Sequence, residues 1–487
     1  MFRTAACLLL LLIPSMYGNT QAVAINSDGT DPHASALLDL KSNSKGILIP
    51  RMTTAERKSI TDPAKGLLVF DTNRSDFLFW DGNEWKAIGG KQDGLTQNFT
   101  PPEMSNGSRL GREAVIKGDF AAVSARMPDN KKVVLIYRKT FGGNWALDTT
   151  LAPPSTSSVT EEFGHALDMD GDYLVVGDYR KKGADGVERG AVYVYRKGGT
   201  QWNLESVIER TSGAGLDAFG WDVAISTSAP QGPTIAVGIP RSDGSYGLNM
   251  SGMVQLYKKG ATAWEVATTI SKAGFVQSGQ VGYSVDIEGN LLAIGSPFRE
   301  GSQGALYLYR YNNTVNYWQE EFHTFNFPDK ALGGYDVSIS GGRVACGVPS
   351  SSVEQGEVRI FHISGPNWNS EVIRSPYAIY EGGYARFGAA VSLDGENLMV
   401  GAPGIVQIPG GEIGGNQPGK AVLFRLRYGA SGIDHSLRTV WRSPFFRSSD
   451  GFGFRVGVSG SGFLFTHPGF SSVSYNAIGN VQFGTVE

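Results

Sequence analysis

Cysteine, charge and long apolar runs are all scarce in this chain. Only two cysteines occur among 487 residues, and charged residues make up 18%. Net charge is -3 with both signs interspersed. No basic stripe suited to nucleic acid and no polybasic run suited to an anionic membrane surface is present. The one marked apolar run is N-terminal, from Ala5 to Pro14 and behind Arg3; it is too short to span a bilayer and fits the core of a secretory signal. Small and polar residues follow, and cleavage is expected after Ala22. Cys7 precedes the leucines and leaves with the signal, so the mature chain keeps Cys346 alone and no internal disulfide is possible. Within RVACGVP, Cys346 reads as a small buried core residue.

Catalytic signatures are missing as well. The histidines (His33, His165, His323, His362, His435, His467) share no HxxxH spacing, and there is no GxSxG elbow. The acid pairs Glu161-Glu162 and Glu320-Glu321 read as solvated loop residues, not as the opposed carboxylates of a glycosidase. No catalytic residue, no metal site and no cofactor is expected. What the chain does have is glycine, 65 residues, with 11% aromatics. That combination fits short strands joined by tight turns, with ample apolar surface to bury.

Residues 23–90 differ from the rest. Thr53 to Ile60 reads as a short capped helix stopped by Pro63. Leu67 to Asp71 and Asp76 to Trp80 read as strands, with Asp81-Gly82 turning into Glu84 to Ile88. Through SALLDLKSNSKGILIPRMT, AKGLLVFDT and FWDGNEWKAI the segment resembles the leader region of secreted bacterial surface and tail-fibre-like proteins. A small mixed α+β leader is expected there.

From Leu110 onward the chain repeats itself. An apolar-Gly pair recurs at Leu110-Gly111, Phe163-Gly164, Phe219-Gly220, Val281-Gly282, Leu332-Gly333, Phe387-Gly388 and Phe452-Gly453, at intervals of 53, 56, 62, 51, 55 and 65 residues. Each pair opens onto an alternating strand, a tight turn and a second strand, as in VGYSVDIEGNLLAIGSP. A third strand (GAVYVYR, GMVQLYK, GALYLYR) and a segment with a tryptophan (Trp145, Trp202, Trp264, Trp318, Trp368, Trp441) follow in most repeats. Four short strands per unit, seven times over, predict an all-β fold: a seven-bladed β-propeller spanning 91–487. The last unit supplies three strands, and the missing outer strand is expected from Leu95 to Phe99, which would clasp the ring.

Through FGHALDMDGDYLVVG, FGWDVAI with IAVGIP, and FGAAVSLDGENLMVGAP, these units resemble FG-GAP repeats, found in the propeller of integrin α-subunits and in bacterial extracellular proteins. The resemblance implies a Ca²⁺ loop of pattern DxDxDGxxD, from which this chain departs. Its links (DMDGDY, IEGNL, LDGEN) are hairpin turns too short to wrap six or seven oxygens round an ion.

Recognition is expected on the propeller face that gathers the long variable links, Asp178 to Arg189, Arg241 to Ser251, Phe298 to Gln303, Pro403 to Pro418, Arg210 to Ala218 and Ser375 to Arg386. Arginine and aromatic residues dominate binding hot spots, so the candidates are Tyr179, Arg180, Arg241, Tyr246, Phe298, Arg299, Tyr380, Tyr384 and Arg386, with Trp221 facing either core or surface. The expected function is that of an exported binding or adhesion protein, on the cell surface or secreted. Its partner would be an extracellular protein or glycan, with no membrane insertion once the signal is removed. A propeller-based hydrolase and a structural spacer in a surface assembly stand as alternatives.

Overall fold

A computed structural model describes residues 22–72, 76–80, 82, 85–87, 97–101, 104, 108–141, 143–154, 161–210, 215–243, 249–271, 276–350, 355–364, 367–376, 385–408, 411–414, 419–429, 432–442, 451–468 and 479–486. The apolar N-terminal run lies outside the described residues. Two compact units divide the chain, Met1–Lys91 and Gln92–Glu487.

In the first unit, Thr53 caps the helix Thr54–Lys58: its hydroxyl accepts from the Glu56 N–H, and the Glu56 carboxylate accepts from the Thr53 N–H, a reciprocal box. The helix packs beside a four-stranded sheet in the order Arg51–Met52, Leu68–Asp71, Asp76–Trp80, Trp85–Ala87. Asp71 is fully buried, and it is satisfied by the Arg57 guanidinium at 2.9 Å and by the Thr54 hydroxyl. A buried carboxylate is tolerated only with such partners. A parallel pair, Val23–Ile25 with Leu38–Leu40, precedes this sheet.

The second unit is all β apart from one helical turn, Arg299–Ser302, among the described residues. Its main strands form seven four-stranded antiparallel sheets. They are numbered one to seven by their first strands, Arg109–Lys117, Ala166–Asp170, Val223–Ser226, Ser284–Glu288, Val337–Ser340, Ala390–Asp394 and Val456–Ser459. Strands within each of sheets one to six follow one another as a meander; sheet six adds a hairpin, Ile405–Ile408 with Gly411–Gly414, between its second and third strands. Both faces of the sheets are apolar, and the core clusters join each sheet to the next. Val194 and Ile208 of sheet two, for example, cluster with Ile225, Ile235 and Val237 of sheet three. Sheets one to four and sheet six each carry a bulge where the fourth strand pairs with the third, as at Ile136/Tyr137 and Val194/Tyr195. Such bulges increase twist at the outer edge.

Glycine is required where sheets approach. A Cβ on Gly238 would lie 2.1 Å from the Gly282 carbonyl oxygen, so the second strand of sheet three meets the entry of sheet four backbone to backbone. The register corrects one repeat. The bridging partner that precedes the first strand is Phe219, Val281 and Phe387 in neighbouring units, but Gly333 in sheet five. The apolar-Gly pair of that repeat is therefore Gly333-Gly334, not Leu332-Gly333. The missing side chain is replaced from a distance, since a Cβ on Gly333 would strike the Phe327 ring at 2.3 Å.

Cys346 is buried in the second strand of sheet five, and burial pushes its thiol up to about 12. It packs as a core residue with no nucleophilic character at neutral pH.

Sheet seven takes its outer strand from the chain ahead of the repeats. Asn480–Thr485 pairs with Gln97–Phe99, in register Phe483 to Gln97 and Val481 to Phe99. Phe99 packs on Phe483 and Tyr137, Trp145 stacks on Phe483 at 4.8 Å, and the main-chain N–H of Trp145 donates to the Gln97 side-chain oxygen at 2.6 Å. The first strand of sheet seven lies against those of both sheet six and sheet one. Phe483→Ala should destabilise the chain by about 3–5 kcal/mol, and deletion of residues 97–99 should cost a comparable amount. Both are measured by denaturant unfolding; wild-type stability in either variant would show that this seam bears no load.

Candidate functional site

The first strands surround a cavity of about 300 Å³ to which all seven contribute. Counting from the glycine of each pair, alternate positions have opposite fates. Positions three and five (Leu167 and Met169, Val223 and Ile225) enter the cores between sheets. Positions two, four and six mostly carry Asp, Ser or Glu (the exceptions are Ala166, Ala390 and Arg455 at two, Val115, Ala224 and Gly457 at four, and Lys117 at six), and many of these side chains reach the exposed edge of the next first strand. An edge strand whose N–H groups are shut away from water needs acceptors.

The pattern is regular. Asp222 accepts from the Val285 N–H and Asp336 from the Val391 N–H, both at 2.7 Å. Asp168 accepts from the Ile225 N–H at 2.7 Å, Asp286 from the Ile339 N–H, Ser338 from the Leu393 N–H and Ser392 from the Val458 N–H. At position six, Asp170 accepts from the Thr227 N–H, Ser226 from Gly289, Ser340 from Gly395, Asp394 from Gly460, and Ser459 from Gly118, which joins sheet seven to sheet one. Sheet one meets sheet two instead through the Lys117–Asp170 ion pair at 3.6 Å, and Arg455 grips Glu113 at 2.6 Å.

Burial raises the carboxyls of Asp168, Asp222, Asp286 and Asp336 above the usual range. For Asp168 the neighbouring Asp286 charge adds to the rise; Asp336 reaches about 7 even though Arg455 and its N–H donor oppose the shift. Among the described residues no group of three His, Cys, Asp or Glu side chains is arranged to hold a metal ion.

Position one faces the mouth of the cavity, and its occupants are Arg112, His165, Trp221, Tyr283, Tyr335, Ala389 and Phe454. Four of them form a chain of rings: His165 lies 4.7 Å from Trp221, Trp221 5.4 Å from Tyr283, and Tyr283 5.4 Å from Tyr335. The link residues join this arc. Tyr179 lies 4.5 Å from His165 and 5.0 Å from Trp221, Phe298 lies 5.3 Å from Tyr283, and the Arg241 guanidinium sits 5.1 Å from the Trp221 centroid.

Of the candidates read from sequence, Tyr179, Arg241 and Phe298 thus converge, and Trp221 faces the mouth. Arg180 stands on the link beside them, paired in fork geometry with Glu188 at 3.0 and 3.1 Å. Two do not present themselves to a ligand. Arg299 is buried, donating to the Tyr307 hydroxyl and lying 3.8 Å from the Phe325 ring centroid, and Arg386 is 1% exposed with its guanidinium on the Ser350 hydroxyl. Both guanidiniums shape the links from inside. Tyr246, Tyr380 and Tyr384 lie outside the described residues. His165, Tyr283 and Tyr335 belong to the arc but were missed. Their signal is positional: each directly follows the glycine of its unit, as Trp221 does.

Residues 145–195 match the family model for an FG-GAP repeat. The chain carries an FG-GAP repeat. Residues 24–104 match that for a phage tail like trimerisation region, and no curated protein matches the chain. The FG-GAP match begins at the outer strand of sheet one and ends in the third strand of sheet two. One FG-GAP unit therefore finishes one sheet and begins the next. By the same stagger, the last unit must find its outer strand elsewhere, which is the place Gln97–Phe99 fills.

The stitching carboxylates set a pH dependence. The folded pKa values of Asp168, Asp222, Asp286 and Asp336 lie above those of the unfolded chain, so between pH about 4 and about 7 the folded state holds more protons and stability falls as pH rises. Asp336→Asn, which keeps an acceptor for Val391 without the buried charge, should flatten this slope. Asp336→Ala should cost about 1–3 kcal/mol by orphaning the N–H. Thermal melts across that pH range compare the three proteins, and an unchanged slope in Asp336→Asn would refute the assignment.

Proposed function

We propose that the chain is an exported bacterial binding or adhesion protein. In this reading the FG-GAP unit, residues 92–487, closes as a seven-bladed propeller and presents the mouth of its channel to an extracellular protein or glycan. Closure is supported by the seven sheets, by the shared cavity and by the seam between sheets seven and one. Export is supported by the apolar N-terminal run of the sequence; among the described residues no helix is long and apolar enough to cross a membrane.

The observation that carries the binding reading is the arc of His165, Tyr179, Trp221 and Tyr283 with Arg241 packed on it. Aromatic rings and arginines gathered at a concave opening are the composition of a recognition surface. A hydrolase would need two opposed carboxylates at leisure in the channel. Here Asp168, Asp222, Asp286 and Asp336 each already accept a backbone N–H from the next sheet, which favours a structural role for them.

The match to a trimerisation region supports a second element of the reading: the leader joins copies of the chain, so that binding faces are displayed in threes. In that unit Leu37, Leu38, Ile47 and Leu48 are each more than half exposed, a concentration of apolar surface that suits burial between chains.

Protein and glycan arrays probed with the full chain test the main reading. Trp221→Ala should weaken any hit at least about tenfold while leaving the melting temperature near wild type; hits indifferent to Trp221 would move the site elsewhere. Light scattering tests the second element, with a trimer expected for the wild type and monomers for a Leu37→Asp, Leu48→Asp variant.

A further inference from the structure

Three links of sheets two and three are tied together beside the aromatic arc. The Leu216 N–H donates to the Glu188 carbonyl at 2.7 Å, and the Arg241 N–H donates to the Asp217 carbonyl at 3.2 Å. Acids on these links are committed elsewhere. Glu188 is held in a fork by Arg180, Asp185 pairs with Arg189, Asp217 pairs with Arg210 at 2.6 Å, and Asp243 accepts the Met250 N–H at 3.2 Å. Arg241 has none of them. Among the described residues its guanidinium makes no hydrogen bond or ion pair.

That guanidinium lies instead over rings, 5.1 Å from the Trp221 centroid and 5.9 Å from that of Tyr179. Half-buried there, it loses hydration that ring contacts recover only in part. Stacking engages its faces, whereas its N–H groups lie in the plane and remain available to a ligand. His165 touches both rings and adds no second charge: burial first, then Arg112, Arg455, Arg241 and Lys132, hold its imidazole well below the ordinary titration range. One guanidinium matches one carboxylate. The rings themselves are a poor seat for a sugar. Trp221 meets His165, Tyr179 and Tyr283 at 55°, 66° and 47°, and Arg241 lies over it, so a pyranose finds no open platform. An exposed apolar side chain, Leu216, stands on the adjoining link.

We infer that the ligand of this mouth is a protein that sets an aspartate or glutamate carboxylate on Arg241, with a neighbouring apolar residue against Leu216. The carboxylate receives two N–H groups in fork geometry, and the stack on Trp221 and Tyr179 holds the fork in place before the partner arrives. An arginine fixed on aromatic rings is a recurrent hot spot of protein–protein interfaces, and apolar side chains beside it exclude water. The inference rests on the binding reading above and narrows it from protein or glycan to a protein bearing an acidic residue.

A random peptide library panned on the full-length chain should yield sequences with Asp or Glu beside an apolar residue. Changing that acid to its amide should weaken binding by about tenfold or more. Arg241→Gln should weaken binding of the acidic peptide by a similar factor and leave that of the amide version nearly unchanged, whereas Arg138→Gln, on the third strand of sheet one, should alter neither. Should Arg241→Gln fail to fold, the acid-to-amide comparison on the wild type decides, and its acidic-peptide binding must weaken as ionic strength rises. Selected peptides without an acid, binding that survives the change to the amide, or an Arg241→Gln protein that weakens both versions alike overturns the inference and leaves the binding reading standing. Trp221-dependent glycan hits on the arrays with no peptide selected do the same. A chain that selects no peptide and gives no Trp221-dependent hit on either array refutes both.

Discussion

The second unit depends on how seven sheet edges are satisfied around a confined space. A first strand has a partner on one side only, and its other edge turns toward the cavity, where a neighbouring sheet splays too far for a ladder of main-chain bonds. Side chains bridge that gap. A carboxylate or hydroxyl at positions two, four or six reaches the N–H one residue further along the next strand, as Asp222 does for Val285 and Ser338 for Leu393. Apolar packing between sheet faces supplies most of the stability, but it is non-directional. The directional stitches set the height at which neighbouring sheets meet.

This division of roles explains what was legible in the sequence. The repeats, the four-strand units and the donated outer strand could all be read from periodicity and turns, because every unit obeys the same alternation. The aspartates were harder. Asp168, Asp170 and Asp172 look like fragments of a cation loop in sequence, yet Asp168 and Asp170 are acceptors for the next strand and Asp172 lies in the turn. Nothing local distinguishes the two, since the partner N–H belongs to a strand 57 residues away. The shift at Gly333-Gly334 was hidden for a similar reason: Leu332 imitates the apolar residue of the pair, whereas the ring that fills its place comes from Phe327.

Individual site residues were legible only in part because exposure depends on how each link folds. Arg241 and Arg299 follow the second strands of neighbouring units and look equivalent in sequence. Arg241 lies over Trp221 at the mouth, while the turn Arg299–Ser302 swings its arginine inward onto Tyr307. Arg386 likewise sits at the end of a variable link, but a left-handed backbone (φ 58°) sends it under the surface to Ser350. Residue type alone cannot anticipate such choices.

Position one shows how a repetitive scaffold acquires an individual face. Positions two, four and six are mostly Asp, Ser or Glu, since a stitch needs an acceptor, although Arg455, Lys117 and five apolar or small residues also occur there. Position one has diverged into arginine, histidine, tryptophan, tyrosine, alanine and phenylalanine. The result is not evenly mixed around the mouth. Sheets two to five contribute the linked rings of His165, Trp221, Tyr283 and Tyr335; sheet one contributes Arg112, and Arg455 stands one position further along in sheet seven. One side of the opening therefore carries rings tilted at 46–55° to one another, and the other carries Arg112 and the Arg455–Glu113 pair, with His165 at the boundary. Near-identical units at equivalent places would produce a symmetrical rim if packing alone governed these residues. The asymmetry continues below the rim, where sheets seven and one add the Arg455–Glu113 ion pair and sheets one and two meet through Lys117 and Asp170.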